Sequence, residues 1–182
     1  MDALTLLLNR RSTAALAAPA PAGAALEAIL NAALRVPDFQ GLRPYEFLIA
    51  EGEGRARLGR LMRAAAVASG RPEADVIRAP EMPLRAPLVI VVIAKARESR
   101  IVSVFEQQLT AGCAVMAMQM AAVAQGFSGL WRSGWPMFDP HLARALGLEA
   151  ADRIVGFLYL GTPTCPPVAL VPVESQAFVR HL

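Results

Sequence analysis

The sequence predicts a single domain of mixed helix and strand that pairs with a second copy of itself. Three observations carry this reading. The first is a run of small and apolar residues from Thr110 to Phe127, continuing into Gly129-Leu130-Trp131-Arg132-Ser133. A helix of that composition has no solvent face, so in a chain of 182 residues it needs cover on every side. The second is a pair of continuous apolar runs rich in β-branched residues, Leu88 to Ala94 and Ile154 to Leu160, which read as buried strands. The third is composition: hydrophobic residues make up 55% of the chain and charged residues 18%, with a mean hydropathy of +0.41. That balance suits an obligate oligomer better than a soluble monomer.

The elements follow in chain order. Asp2 to Asn9 fits a first helix, with Ala3, Leu4, Leu7 and Leu8 turned inward, and Ala22 to Arg35 fits a second that ends before Pro37. Tyr45 to Ala50 is a candidate strand, and Glu53 to Ser69 an arginine-studded helix. The Pro-punctuated stretch from Arg71 to Pro87 reads as loop. After the strand at Leu88 to Ala94 comes the long apolar helix, Phe105 to Gln125, about 30 Å at the standard rise. Asp139 to Leu146 is a short helix before the last strand. The tail from Pro166 to Leu182 carries three prolines and several apolar residues, too apolar to be free and too rich in proline for a helix. An extended arm from residue 164 onward, packed on a partner, satisfies both. No linker or second domain is expected within 1–182.

Several function classes fall away. The apolar run is broken by Gln108, Thr110, Gln119 and Gln125, short of the roughly 18–20 apolar residues of a membrane span. No signal-peptide pattern opens the chain, which makes a cytoplasmic protein the expectation. Cys113 and Cys165 form no C-x-x-C pair and read as reduced thiols, Cys113 packing on the long helix. His141 and His181 lack metal-ligand spacing, so no metal is expected. A net charge of +3, with arginines not aligned on one helix face, argues against nucleic acid. Neither G-x-G-x-x-G after a strand nor G-x-x-x-x-G-K-[ST] nor G-x-S-x-G occurs. With no candidate nucleophile, demanding chemistry falls to a bound cofactor and no protein residue is expected to be catalytic.

Three constellations remain. Arg10-Arg11-Ser12 follows the first helix, and guanidiniums beside a hydroxyl suit phosphate, although an arginine pair at a helix end commonly serves the last carbonyls. Arg35-Val36-Pro37-Asp38-Phe39 is a rigid loop whose aromatic could lie against a planar ring or plug the core. Gly126 to Ser133 is either a tight turn with Trp131 as core, or an indole, guanidinium and hydroxyl at a site for a flat anionic ligand.

In order and spacing these segments, with Pro44-Tyr45-Glu46-Phe47, Thr110 to Ala114 and Ile154 to Pro163, resemble short members of the nitroreductase family. The resemblance runs from Met1 to about Pro163. It implies an α+β subunit with a central, mainly antiparallel sheet flanked by helices. Two such subunits would form a homodimer through the long helix, with one FMN at each of two shared sites. It further implies that Arg10, Arg11, Ser12, Trp131, Arg132 and Ser133 bind FMN, and that Arg35 and Phe39 border it. Ala121, Ala122, Val123, Ala124, Gln125 and Gly126 match a segment assigned to NAD(P)H, though small apolar residues at a helix end serve packing equally well. The implied activity passes hydride from NADH or NADPH through the flavin, by a ping-pong mechanism, to a planar nitroaromatic or quinone-like acceptor.

The chain departs from that pattern. Related short enzymes read Asp-His-Gly-Thr-Leu-Gln-Pro-Trp where this one has Asp38-Phe39-Gln40-Gly41-Leu42-Arg43-Pro44-Tyr45, and Ala15 stands where an arginine is frequent. Phe39 cannot donate a hydrogen bond to flavin or substrate. A flavin-binding protein with lost or redirected turnover, for storage, sensing or flavin modification, is therefore the alternative. A cofactor-free helical dimer is a third reading, supported by composition alone.

Overall fold

Two strands whose apolar runs allow burial on both faces make the centre of the protomer, β3 (Leu88–Ala94) and β5 (Arg153–Pro163), with the half-exposed β2 (Tyr45–Glu51) at the edge beside β3. The computed structural model describes residues 2–167 and 169–182. Met1 and Val168, which the expected domain and tail include, lie outside the described residues. β3 is buried at every position and lies between β2 and β5, antiparallel to both. The two-residue β1 (Leu16–Ala17) and β4 (Ser128–Arg132) share the outer edge of β5, β1 at its end and β4 along its middle. All pairings are antiparallel, and the described architecture is α+β.

Alternation along the strands divides the core in two. Leu88, Ile90, Val92, Leu158 and Leu160 face α2 (Gly23–Ala33) and α5 (Val104–Ala124), which bury Ile29, Ala33, Ala114, Val115, Met118 and Ala122 against them. Val89, Val91, Ile93, Phe157 and Tyr159 face α3 (Glu53–Ala68) and α7 (Pro140–Ala145), which supply Leu58, Met62, Ala65 and Leu142. α5 starts cleanly because Ser103 and Glu106 form a reciprocal capping box.

Several expectations need correction. The stretch expected as loop from Arg71 to Pro87 contains α4 (Glu73–Arg78) and two 3-10 turns, held by the Arg71–Asp75 and Arg78–Asp75 ion pairs. A one-turn helix, α6 (Trp135–Phe138), precedes α7. Leu4, Leu7 and Leu8 of α1 (Ala3–Leu8) point outward, at 69%, 53% and 72% exposure, and Ala3 is exposed too. Nor is α5 covered on every side: Phe105, Leu109 and Cys113 are exposed along one stripe, so Cys113 is not a packing residue within one protomer. Arg57, Arg60 and Arg63 do share an exposed arc of α3. The tail pairs with no described strand beyond Pro163 and is exposed throughout its described length, with a 3-10 turn at Ser175–Phe178.

One buried polar cluster fixes the end of the sheet from which the site projects. Asp152, 4% exposed at the start of β5, accepts from the Lys95 ammonium at the end of β3 and from the N–H groups of Ala96 and Glu149. Burial by itself raises the Asp152 pKa, but those donors outweigh it and leave it below the ordinary carboxylate value. A lowered folded pKa contributes stability above the unfolded value, about 4, that is lost as pH falls through the folded one. Asp152→Asn should cost about 2–3 kcal/mol in urea denaturation at pH 7, because it leaves Lys95 facing a neutral amide. The variant should also lose less stability than the parent between pH 5 and pH 3. Equal stability at pH 7 would show that the ion pair holds nothing.

Candidate functional site

The site begins where β4 stops. Glycines allow the long helix to turn back: Gly126 takes φ 86°, and the Phe127 N–H returns to the Ala122 carbonyl. The expected turn therefore ends at Phe127, and Ser128 to Arg132 run as edge strand. The Gly129 carbonyl accepts from the Thr13 N–H and from the buried Gln119 side chain, each at 3.0 Å. Those bonds lay the Arg10-Arg11-Ser12 segment beside β4 and fasten β4 to α5. A Cβ on Gly129 would collide with Leu160 and the Tyr159 carbonyl, so the close approach depends on glycine.

β4 pairs only with residues 157–161 of β5, leaving the edge at 153–156 open. The Trp131 indole crosses that edge. Its Nε1–H donates to the Val155 carbonyl at 3.1 Å, its ring lies where a Gly156 side chain would stand, and its far edge reaches toward Gly112 of α5. Below it lies a cleft of about 770 Å³ lined by Gln108, Met137, Phe138, Arg153, Ile154 and Val155 among others.

Strand alternation sends Arg132 the other way, its guanidinium 5.8 Å above the Tyr159 ring. Burial raises the Tyr159 phenol's pKa, and the nearby Arg132 and Arg85 only partly reverse that. Trp131 and Arg132 thus face opposite sides of the sheet, and a ligand can meet both only around its edge. That edge is where Arg10, Arg11 and Ser12 lie.

Charge there is unbalanced. The Arg10 guanidinium donates to Ser12 Oγ at 3.3 Å. Among the described residues, none of Arg10, Arg11 or Arg132 has a carboxylate partner, and Arg11 Nε is buried without a hydrogen bond. A buried guanidinium N–H without an acceptor is costly, and a phosphate would relieve it. The donor set therefore fits the phosphate end of FMN.

Arg35 and Phe39 are not brought to this edge. They stand on the loop before β2, at the same end of the sheet but on its opposite side, roughly 14 Å from β4 at three strand spacings. The Asp38 carboxylate closes the loop by accepting from the Leu42 and Arg43 N–H groups. Thr110 Oγ1 donates to the Pro37 carbonyl, holding the loop on one flank of α5 while Gly112 receives Trp131 on the other. Phe39 is 68% exposed, so it is not a core plug. At the end of α5, Ala122 is fully buried, and Gln125 donates to the Ala25 carbonyl of α2. Ala124, Gln125 and Gly126 are the exposed residues of the 121–126 segment, with Ala121 and Val123 partly buried. The sequence reading missed Gly156 and Arg43; a glycine inside an apolar strand was the available signal for the first.

Comparison with known proteins shows the family and the fold. The model of the Nitroreductase family matches residues 7–162. The YdjA protein of Escherichia coli strain K12, whose name assigns it to NAD(P)H nitroreductases, is 52% identical over 163 residues, covering 90% of this chain and 89% of its own. A Haemophilus influenzae protein, likewise named for NAD(P)H nitroreductases, is 42% identical over 164 residues, 89% of each chain. Among solved structures, the nitroreductase-like family protein from Bacillus cereus superposes with a TM-score of 0.86 at 21% identity, over 100% of this chain and 96% of that one. A nitroreductase with bound FMN from Bacteroides fragilis gives 0.75 at 18% identity, covering both chains fully.

Gly156→Ala should eject the indole from the β5 edge. The expected signature is a red-shifted tryptophan emission and a loss of about 1–3 kcal/mol in stability, from forcing a methyl group into a filled site. An unchanged emission spectrum would show that Trp131 is not seated on Gly156.

Proposed function

The chain belongs to the nitroreductase family, and on that premise we propose that it is an FMN-dependent oxidoreductase. It uses NADH or NADPH to reduce planar nitroaromatic or quinone-like acceptors. The observation that carries the proposal is the unbalanced guanidinium set at the β4 edge, with Arg11 Nε buried and unsatisfied. Arg10, Arg11, Ser12, Arg132 and Ser133 hold the phosphate, and Trp131 sets the floor beside the ring. When bound, FMN would supply the two-electron redox chemistry that links the reductant to the acceptor. The protein's part is to fix the phosphate, orient the ring against the open β5 edge and limit water beside it. Ala124, Gln125 and Gly126 are the surface of the 121–126 segment that the reductant could touch.

The separation of Arg35 and Phe39 from the phosphate residues supports a homodimer in which the loop of the partner subunit completes each site. The exposed apolar stripe supports it independently: Leu4, Leu7 and Leu8 of α1 lie outward on a helix packed against α5, which itself exposes Phe105 and Leu109. The exposed Val171, Val173 and Phe178 of the 164–182 extension fit an arm laid on the same partner. Among the described residues no helix is long and apolar enough to cross a membrane, and no cluster of metal-ligating side chains occurs. A cytoplasmic location accompanies this proposal. A second reading, flavin binding with lost or redirected turnover, rests on Phe39, which offers an apolar ring where a hydrogen-bonding group could stand.

Three measurements test the proposal. The purified protein should be yellow and oxidise NAD(P)H in the presence of a nitroaromatic or quinone; flavin without turnover selects the second reading, and a colourless protein that takes up no added FMN refutes both. Arg10→Ala should weaken FMN by about 1.5–3 kcal/mol while leaving riboflavin nearly unaffected, because a charge-assisted bond to phosphate is lost. Equal losses for both flavins would return Arg10 to a helix-end role. Leu109→Arg should leave the protomer folded, since Leu109 is 53% exposed there, and abolish the dimer in sedimentation. A variant that still sediments as a dimer would place the interface elsewhere.

A further inference from the structure

The loop that carries Phe39 holds a second guanidinium the site has not used. Arg35 and Arg43 line one cleft of about 470 Å³ with Leu34 and Tyr45, a volume within the roughly 300–1,000 Å³ of small-molecule sites. Three features make the arrangement more than two exposed arginines. Arg43 takes φ 49°, a left-handed conformation unusual for a residue with a side chain, and its N–H is pinned by Asp38 Oδ2 at 2.7 Å. The same carboxylate also accepts from the Leu42 N–H, so Asp38 is occupied by backbone, and among the described residues neither arginine has an ion-pair partner. Tyr45 is stacked on Phe47 at 5.4 Å between ring centroids, giving the cleft a rigid aromatic wall.

We infer that Arg43, beside the flavin-bordering Arg35, forms an anion-binding subsite that selects ligands carrying a carboxylate or phosphate beside a planar ring. The inference rests on the proposed function, which sets this loop over the flavin of the partner subunit. Apolar Phe39 then meets the face of the incoming ring, while Arg43, four residues on, meets its charged substituent. Two ligands could bring such a group: an acceptor with a carboxylate, or NADPH with its 2′-phosphate. The structure thus assigns to Arg43 a choice among ligands and no part in the electron transfer.

The test compares the holoenzyme with Arg43→Gln and Arg43→Glu, using 4-nitrobenzoate against neutral 4-nitrobenzyl alcohol, and NADPH against NADH. Expected is a fall of about tenfold in the nitrobenzoate-to-nitrobenzyl-alcohol ratio of kcat/KM for Arg43→Gln, and a larger fall for Arg43→Glu. A fall confined to the NADPH-to-NADH ratio also supports the subsite and identifies the reductant as its ligand. If both ratios stay within twofold of the parent in both variants, Arg43 recognises no anion and the inference is overturned. Absence of flavin, or of turnover with every pair in the parent protein, is read before any variant and overturns the underlying function as well.

Discussion

One carbonyl ties the site together. The Gly129 oxygen accepts from the Thr13 backbone and from the Gln119 side chain, so the N-terminal segment, the edge strand and the long helix meet at one atom. Gln119 is buried among apolar neighbours, where an amide without a partner costs about 1–3 kcal/mol. The bond is therefore hard to release. From this anchor Arg10-Arg11-Ser12 lie beside β4, and two and three residues further Trp131 and Arg132 leave the strand on opposite faces. A site at a sheet edge, open to both faces, follows from the short length of β4.

On the proposed reading, the same geometry leaves each protomer with half of a site. β2 and β4 border opposite sides of β3 and β5, which sets the Arg35–Phe39 loop apart from Arg10, Arg11, Ser12 and Arg132. α5 lies between them, with the Pro37 loop on one flank and Trp131 on the other. α1, with its outward leucines, packs against the same helix. Burying their exposed apolar residues against a second copy would satisfy hydrophobic composition and site geometry in one step.

Much of this was legible in the residues. The continuous apolar run at Leu88–Ala94 read as a buried strand, and the long apolar helix and the glycines after it were readable from composition. Ser128–Arg132 was not, because a five-residue strand beginning Ser-Gly carries no alternation and its pairing is set by Gln119 and Thr13 from distant parts of the chain. α4 was hidden by prolines on either side that are compatible with the ends of a short helix. The inward orientation expected for the α1 leucines failed for a different reason: amphipathicity shows that a face will be covered, not whether the cover comes from its own chain. Arg10–Ser12 and Trp131–Ser133 stood out in the sequence as candidates by residue type, while Gly156 and the left-handed Arg43 needed coordinates, since neither steric fit nor backbone angle is written in local pattern.

The central claim is that each site is shared between two chains, and subunit mixing tests it most directly. Arg10→Ala removes a phosphate contact from one half of the site and Arg35→Ala removes the loop guanidinium from the other. Each homodimer of a single variant should bind FMN weakly. Unfolding and refolding the two variants together should restore tight binding at roughly a quarter of all sites, because half the dimers are mixed and each mixed dimer has one intact site. No recovery on mixing, with dimers demonstrably exchanged, would mean that Arg10 and Arg35 act within the same chain and would contradict the shared site.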